Sequence, residues 1–467
     1  LLWVNLEMFI DNLDDTIAAI STAAGEGAVG IVRLSGPRAL AIVDSVFIGK
    51  NGAKPSGFKT YTMHYGKVIH GGQVLDEVIL TIMRSPHSYT REDVVEINCH
   101  GGVVALRQVL DLVLENGCRL ASPGEFTRRA FLNGRIDLAQ AEAVIDIIRA
   151  KTDSSLKVGL EQLKGGLSKE IAKIRQSLLN MLVILEANID FPEEDLKKQD
   201  MVKISQDLNA VRLQLNKLLD SARAGRILRD GIHVVICGKP NVGKSSLLNA
   251  LIKKERSIVT PIAGTTRDSI EEVIDIKGIP VRIVDTAGIL KPRDIVERKA
   301  VGRAKTHIRS ADLVIILFDA SRKLEDSDRK LIKEIKNKQV IAVINKIDLK
   351  AKLKKEEIFK AFQAVVELSA KKGKNINLLE DALCEFVYQG RLPGPELMLV
   401  SNLRHISALK EAQKLLNNAV SALTDKLPLE FLTQDLKDAS LNLDKILGRD
   451  LTEDLLDRIF SDFCIGK

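Results

Sequence analysis

The sequence predicts a multidomain protein of mixed class: an N-terminal α+β domain, a helical domain formed from two chain segments, and an α/β module inserted between those segments. Length is the first reason, because 467 residues exceed what one hydrophobic core serves. The second is a change in apolar spacing, from short alternating runs to a three-and-four repeat and then to continuous apolar runs. Helical spacing returns after the continuous runs, which is the third.

Residues 11–133 carry the α+β domain. AVGIVRLSG and VLDEVILTIM alternate or are β-branched, and Gly and Pro punctuate them, so strands and tight loops are expected. VVALRQVLDLVLENG has the spacing of an amphipathic helix ending near Gly117. Residues 134–228 form the first helical segment. Ile171, Ile174, Leu178, Leu182 and Leu185 make one stripe, and Ile204, Leu208, Val211, Leu215 and Leu218 make another. FPEED between them reads as a break and restart, with Pro192 suited to a first helical turn and the acids to its positive end. Residues 229–388 form the α/β module, with strands at HVVICG, VRIVDTAG, DLVIILFDA and QVIAVINKID. Near-continuous apolar runs suit strands buried on both faces. After QGRLPGPE, residues 389–467 complete the helical domain.

Composition narrows the class further. Hydrophobic residues at 45% and charged residues at 28% describe a folded, soluble protein. A net charge of +7 favours an anionic partner but does not distinguish nucleic acid from phosphate metabolites or lipid. The cysteines, Cys99, Cys118, Cys237, Cys384 and Cys464, are odd in number and widely spaced, without CxxC, which argues against a disulfide framework and a cysteine-rich zinc site. A reducing cytoplasm fits. The opening LLWVNLEMFI is short, carries Glu7 and runs into DNLDD, so neither a spanning helix nor a signal peptide is expected there. It reads as an unusual end, with no function assigned and no membrane partner.

The strongest chemical signal is Gly238–Ser245, a GxxxxGKS sequence between an apolar strand and the helix-compatible SLLNALI. Asn241, Val242, Gly243, Lys244, Ser245 and Ser246 form the expected phosphate loop. Its amides would turn inward around a β-phosphate and the helix start would add a favourable dipole. Lys244 supplies a positive charge to the β/γ-phosphates, and Ser245 a hydroxyl to Mg²⁺. Three further stretches follow in the required order. Asp285 can hold Mg²⁺ through water, and the Gly288 N–H can meet the γ-phosphate. Asn345, Lys346 and Asp348 close another strand, and the Asp348 carboxylate matches the N1–H and N2–H pair of guanine, which adenine lacks. Ser369, Ala370 and Lys371 complete the base pocket. GTP is therefore the expected nucleotide, and the module a Ras-like P-loop G domain. Thr265 and Thr266 lie between phosphate loop and DTAG; one of them, with Thr266 favoured, completes the Mg²⁺ shell and makes this stretch a first switch.

Hydrolysis needs another route than that of Ras-type enzymes. Ile289 stands where those carry a water-orienting glutamine, and it cannot hydrogen-bond water. Glu297, within LKPRDIVERKA, could reach the water directly or through a second one; the alternative is a glutamate on a helix surface. The missing positive charge could come from Arg267 or Arg293. Alternatively, the Asn241 side-chain carbonyl, with backbone carbonyls of the first switch, could hold K⁺ between the phosphates. A facing second G domain would order such a loop.

At the C-terminal end, LTEDLLDRIFSDFCIGK contains a short helix that Thr452 can cap, with Leu455, Ile459 and Phe463 on one face. Cys464 follows it; inert packing is the ordinary reading, and reactivity beside Lys467 the alternative. CHGG at 99–102 and GEFTRRAFLNGR at 124–135 are polar and glycine-rich. Arg128, Arg129 and Arg135 could form an anion site or a solvated helix surface.

Taken together, the pieces DTIAAIS, GIVRLSG, SYTREDVVEINCHGG, PGEFTRRAFLNGRIDLAQAEAV, DFPEED, GKPNVGKSSLLNAL, IAGTTRD, DTAGI and FCIGK resemble the tRNA modification GTPase family called MnmE or TrmE, over residues 14–467. FCIGK with GEFTRRAFLNGR is the specific combination. The resemblance implies a homodimer through the N-terminal domains, working with a flavoprotein partner, MnmG or GidA, that carries FAD and uses NADH. The pair places an aminomethyl or carboxymethylaminomethyl group on carbon 5 of the wobble uridine, position 34, of tRNA. A tetrahydrofolate derivative bound in the N-terminal domain gives the carbon, and glycine or ammonium the nitrogen. The resemblance also implies a K⁺ site of Asn241, Thr260, Ile262 and Thr265, Mg²⁺ on Ser245 and Thr266, and Glu297 orienting water through a bridging water. It makes Cys464 functionally important, and places Arg33, Glu125, Arg128 and Arg135 in the folate region. The sequence departs from the family at Ala28 and Arg91, where Gly is common. Rival readings are a ribosome-assembly or RNA-binding GTPase without modification chemistry, which predicts an RNA-binding domain after the G domain, and a mechanical dimer whose helices move a partner.

Overall fold

The computed structural model describes residues 14–50, 52–190, 198–254, 272–285, 308–388, 400–450 and 452–467. Compact packing divides the chain into two units: Leu1–Ile145 with Gln162–Leu182 and Gln434–Lys467, and Asp146–Glu161 with Val183–Thr433. Each unit contains helical residues from both flanks of the α/β module.

The N-terminal sheet contains β1 (Ile17–Ile20), β2 (Gly27–Ser35), β3 (Phe47–Gly49), β4 (Thr62–His70), β5 (Gln73–Met83), β6 (Val94–Gly101) and β7 (Arg119–Leu120). Their order is β3-β4-β5-β6-β2-β1-β7, antiparallel except for the β1–β7 pair. Helices α1 (Ala39–Val46) and α2 (Val103–Glu115) bring Ile42, Val43, Val109 and Val113 into one core with Val32, Leu34, Val95 and Ile97. Side chains alternate across a strand, so burying Val32 and Leu34 turns Arg33 toward the opposite face. The short helix α3 (Glu125–Leu132) follows.

Helices α4 (Leu138–Arg149), α5 (Asp153–Leu163), α6 (Gly166–Asp190) and α7 (Lys198–Asp230) come next. Both stripes read from the sequence are buried, Ile171 through Leu185 on α6 and Ile204 through Leu218 on α7. The FPEED break lies outside the described residues.

The α/β module opens with β8 (Ile232–Cys237), α8 (Lys244–Lys254), β9 (Glu272–Ile276) and β10 (Ile279–Asp285). It continues through β11 (Leu313–Asp319), α9 (Asp326–Glu334), β12 (Val340–Asn345), α10 (Lys355–Ala361), β13 (Ala364–Glu367) and α11 (Ile376–Tyr388). The sheet order is β13-β12-β11-β8-β10-β9, with only β9 antiparallel to its neighbour. The four apolar strands expected from the sequence are β8, β10, β11 and β12. Strands β9 and β13 were not singled out: they are edge strands, short and interrupted by charge. β9 joins β10 through the two-residue turn Lys277–Gly278, with φ of +52° and +85°, the twist that favours a tight hairpin.

The chain then forms α12 (Leu403–Thr424), α13 (Leu429–Leu447) and α14 (Glu453–Ser461). α12 packs along α7, where Gln413 Nε2 donates to Asn216 Oδ1 at 2.6 Å. Two details of α14 depart from expectation. Thr452 occupies the N-cap position, but its side chain makes no capping bond. The buried stripe is Leu456, Phe460 and Phe463, whereas Leu455 and Ile459 are only half-buried. The tail bends back onto the N-terminal domain and selects that face.

Candidate functional sites

The phosphate loop joins β8 to α8 at the end of the sheet where the parallel strands finish, the usual ligand edge of such folds. Its backbone turns through left-handed conformations at Gly238 (φ +142°), Asn241 (φ +65°) and Gly243 (φ +103°). Successive turns of this kind aim N–H groups at a common centre. A Cβ at Gly243 would run into the Asn345 side chain, so glycine is required twice over, by φ and by space. Lys244 is 6% exposed, with Nζ donating to Gly238 O and Lys239 O, both at 2.9 Å, across the mouth of the loop. Asn241, Ser245 and Ser246 are exposed, and Val242 is buried beneath.

The stretch after β12 locks onto that loop. Asn345 is 2% exposed. Its Nδ2 donates to Val242 O at 2.9 Å, and its Oδ1 accepts from Lys346 N at 2.8 Å and from Ala370 N at 2.9 Å. One amide thus ties phosphate loop, β12 end and 369–371 loop together. Lys346, itself left-handed at φ +65°, donates through Nζ to Asn241 O at 2.6 Å and to Asp319 Oδ2 at 2.7 Å. Asp319 escaped the sequence reading, although an acid closing the apolar run LVIILFD was its signal. Burial raises the Asp319 pKa, but hydrogen bonds from Lys346 and Ser321 outweigh it and hold the carboxyl below its ordinary value. Asp348 is exposed; Ser369 Oγ donates to its Oδ1 at 2.6 Å, which lowers its pKa and orients the carboxylate. Ser369 is fully buried, and Ser246, Ala370 and Lys371 line one open cavity beside Asp348's loop.

Asp285 is the last residue of β10. Thr260, Ile262, Thr265, Thr266, Gly288 and Glu297, together with Arg267, Ile289 and Arg293, lie outside the described residues. No group of three or more His, Cys, Asp or Glu capable of holding a metal occurs among the described residues. Mg²⁺ is usually bound through one or two carboxylates and the substrate phosphates rather than a protein cage, so it does not require such a cluster.

The N-terminal domain holds a second candidate site. Arg33 Nε donates to Glu96 Oε1 at 2.8 Å, and Nη1 to Gly466 O at 3.3 Å. Its guanidinium lies 5.6 Å from the Phe126 ring centroid, and that of Arg135 lies 4.7 Å from the Tyr89 centroid. Tyr61, Met83, Tyr89, Arg91 and Arg135 line an open cleft. Aromatic faces beside guanidinium groups suit a flat, anionic ligand, which is the fit a folate requires. Arg91 has φ +61°, where glycine is unstrained, and its Nη1 donates to Asn133 O at 2.9 Å.

The three arginines of 124–135 do not converge. Arg129 is buried among Asp15, Glu92 and Glu125, Arg128 pairs with Asp457 on α14 at 2.8 Å, and Arg135 sits over Tyr89. Glu125 also accepts from Arg119. Burial holds Glu92 above its ordinary value despite the Arg129 charge. Glu125 and Arg128 are therefore committed to ion pairs within the protein.

The tail explains why GEFTRR and FCIGK occur together. The first amides of a helix lack intrahelical partners. Gly124 N donates to Cys464 O at 3.3 Å, and Phe126 N to Lys467 O at 3.2 Å. Ser21 Oγ donates to Gly466 O at 3.1 Å, and Gly466 has φ +91°, with no room for a Cβ beside the Ile20 carbonyl. Cys464 itself is exposed. Glu96 and Gly466 were missed in the sequence because their roles depend on strand pairing and tail return. Elsewhere, burial pushes the thiols of Cys99, Cys118 and Cys237 up to about 12, consistent with inert packing.

Comparison with known proteins gives the same picture over the whole length. The profile described as "GTP-binding protein TrmE N-terminus" matches residues 16–135, and that described as "MnmE helical domain" matches residues 138–464. The chain is 47% identical over 459 residues to the tRNA modification GTPase MnmE of Alkaliphilus oremlandii, covering 97% of this chain and 100% of that one. Identity is 46% over 457 residues with the Clostridioides difficile protein of the same description, and 44% over 458 with that of Bacillus subtilis, at the same coverage. With two family profiles matching residues 16–135 and 138–464 and relatives 44–47% identical over 97% of its length, the chain belongs to the MnmE (TrmE) family of tRNA modification GTPases.

Proposed function

We propose that this protein hydrolyses GTP and, with a flavoprotein partner, modifies carbon 5 of the wobble uridine of tRNA. The observation that carries the GTPase part is the Asn345 junction, which joins the phosphate loop to the base-reading loop through three hydrogen bonds. Lys244 and the inward amides hold the phosphates, and Asp348, oriented by Ser369, reads guanine. Ser245, Asp285 and Thr266 would hold Mg²⁺, which when bound neutralises charge on the transferring phosphoryl group. Asn241, with Thr260, Ile262 and Thr265, would hold K⁺ in the place of an arginine finger. Glu297 orients the attacking water. Rates that are equal in K⁺ and Na⁺ would contradict that assignment.

The N-terminal domain, with Arg33 and Glu96 beside the tail and Arg135 in the cleft, would hold a tetrahydrofolate derivative, which supplies the one-carbon unit. Cys464 stands at the same end of the domain as Arg33, since both belong to the contacts around the docked tail. The protein acts as a homodimer with MnmG or GidA, in the cytoplasm; no helix among the described residues is long and apolar enough to cross a membrane. Nucleoside analysis of tRNA from cells lacking the gene tests the modification. Loss of the 5-substituted wobble uridines is expected, and an unchanged profile favours the RNA-binding GTPase without modification chemistry.

A further inference from the structure

We propose that Thr152 and Ser155 are positioning residues for GTP hydrolysis, forming a releasable hydroxyl clasp between the β9–β10 turn and the helices. The proposal rests on the GTPase reading above. Thr152 stands immediately before α5, and its Oγ1 accepts from Ser155 N at 3.1 Å as a helix cap. The same Oγ1 lies 2.7 Å from Gly278 O at the hairpin turn and 2.7 Å from Ser155 Oγ. Ser155 Oγ in turn lies 2.5 Å from Leu228 O, in the last turn of α7, where carbonyls lack helical partners. Both residues are buried, at 6% and 8% exposure. The turn seats directly on the helix start, for a Cβ at Gly278 would collide with Ser154 Oγ.

Counting hydrogens gives the clasp its property. Gly278 O, Thr152 Oγ1, Ser155 Oγ and Leu228 O form a row with three short gaps. Carbonyl oxygens carry no hydrogen and each hydroxyl carries one, so two hydrogens serve three gaps. With the turn seated, Thr152 donates to Gly278 O, Ser155 donates to Leu228 O, and the central gap is empty. When the turn leaves, the Thr152 hydroxyl rotates onto Ser155 Oγ, and both hydroxyls remain satisfied. Release therefore strands no buried donor, the usual penalty for breaking such a contact. The clasp sits at the starting ends of β8 and β10, one strand length from the edge where the phosphate loop follows. β10 leads into DTAG, β9 follows IAGTTRD, and α7 runs into β8, which carries the phosphate loop.

The count predicts opposite effects from two deletions. Thr152→Val removes the hydroxyl that holds the turn, while Ser155 keeps Leu228 O. Ser155→Ala removes the alternative acceptor, so Thr152 has only Gly278 O and the turn is held more firmly. Hydrogen exchange of the 272–283 segment and GTP hydrolysis are measured on the full chain with Mg²⁺ and K⁺. Exchange is expected to rise roughly five- to tenfold in Thr152→Val and to fall in Ser155→Ala. The expected kcat falls in both, with KM for GTP within about twofold of wild type, and Thr152→Ser restores wild-type behaviour. Thr152→Val also weakens the helix cap, so Ser155→Ala, which keeps it, decides the sign. Exchange that shifts in the same direction in both variants, or an unchanged kcat in both, overturns the clasp. A wild-type protein without GTP hydrolysis would instead overturn the reading on which it rests.

Discussion

Asn345 is the residue whose loss should cost the framework of the nucleotide site most. Asn345→Ala removes the donor to Val242 O and the acceptor for Ala370 N, each at 2.9 Å, in a position 2% exposed. Each buried group left unpaired costs about 1–3 kcal/mol. Partial rescue by water brings the two together to roughly 3 kcal/mol, or about 150-fold in an equilibrium constant. The phosphate loop and the 369–371 loop would then be independent, and a ligand must order both. Titration of fluorescent GDP and GTP analogues, with denaturant unfolding alongside, separates affinity from stability. Affinity for either nucleotide should fall by about two orders of magnitude. Asn345→Asp should be no better: it keeps the acceptor for Lys346 N and Ala370 N but sets a carboxylate against the Val242 carbonyl. An Asn345→Ala protein binding within threefold of wild type would refute the view that this amide joins the two halves.

Other consequences follow from the same geometry. Asp348→Asn replaces an acceptor with a donor opposite the guanine N–H pair, so the preference for GTP over ATP should shrink by at least about tenfold in competition binding, while xanthine nucleotides, with a carbonyl at carbon 2, gain. Asp319 titrates below its ordinary value of 3.8 in the folded chain; its contribution is complete above that pH and is lost as the pH falls through the lower folded value. Asp319→Asn should therefore flatten the acid limb of a stability–pH profile measured by unfolding, and leave the profile above pH 6 parallel to wild type. Gly466→Ala forces a side chain into left-handed backbone against the Ile20 carbonyl. At about 1–3 kcal/mol of strain the tail should undock, raising hydrogen exchange at the start of α3, whose Phe126 amide it holds.

Much of this was legible in the sequence because it is written locally. A glycine-rich loop between an apolar strand and a helix fixes its own geometry, and the strands at β8, β10, β11 and β12 announced themselves by continuous apolar runs. The stripes of α6 and α7 were equally plain, since one buried face repeats at helical spacing. What stayed hidden depends on chain return. The burial of Arg129 among Asp15, Glu92 and Glu125 comes from segments far apart in sequence, so the sequence left GEFTRRAFLNGR open between an anion site and a solvated helix surface. The stripe of α14 shifted to Leu456 and Phe460 because the docked tail, not the helix alone, chooses the face. Thr152 and Ser155 gave no signal, since their partners are the backbone carbonyls of Gly278 and Leu228.

The claim beneath all of this is that an acid on the β12 loop selects guanine for a triphosphate held at residues 238–245. Equilibrium titration of the purified full chain with GTP and ATP, in Mg²⁺, addresses it directly. Binding of GTP at least about a hundredfold tighter than ATP is the expected result; equal affinities would contradict it.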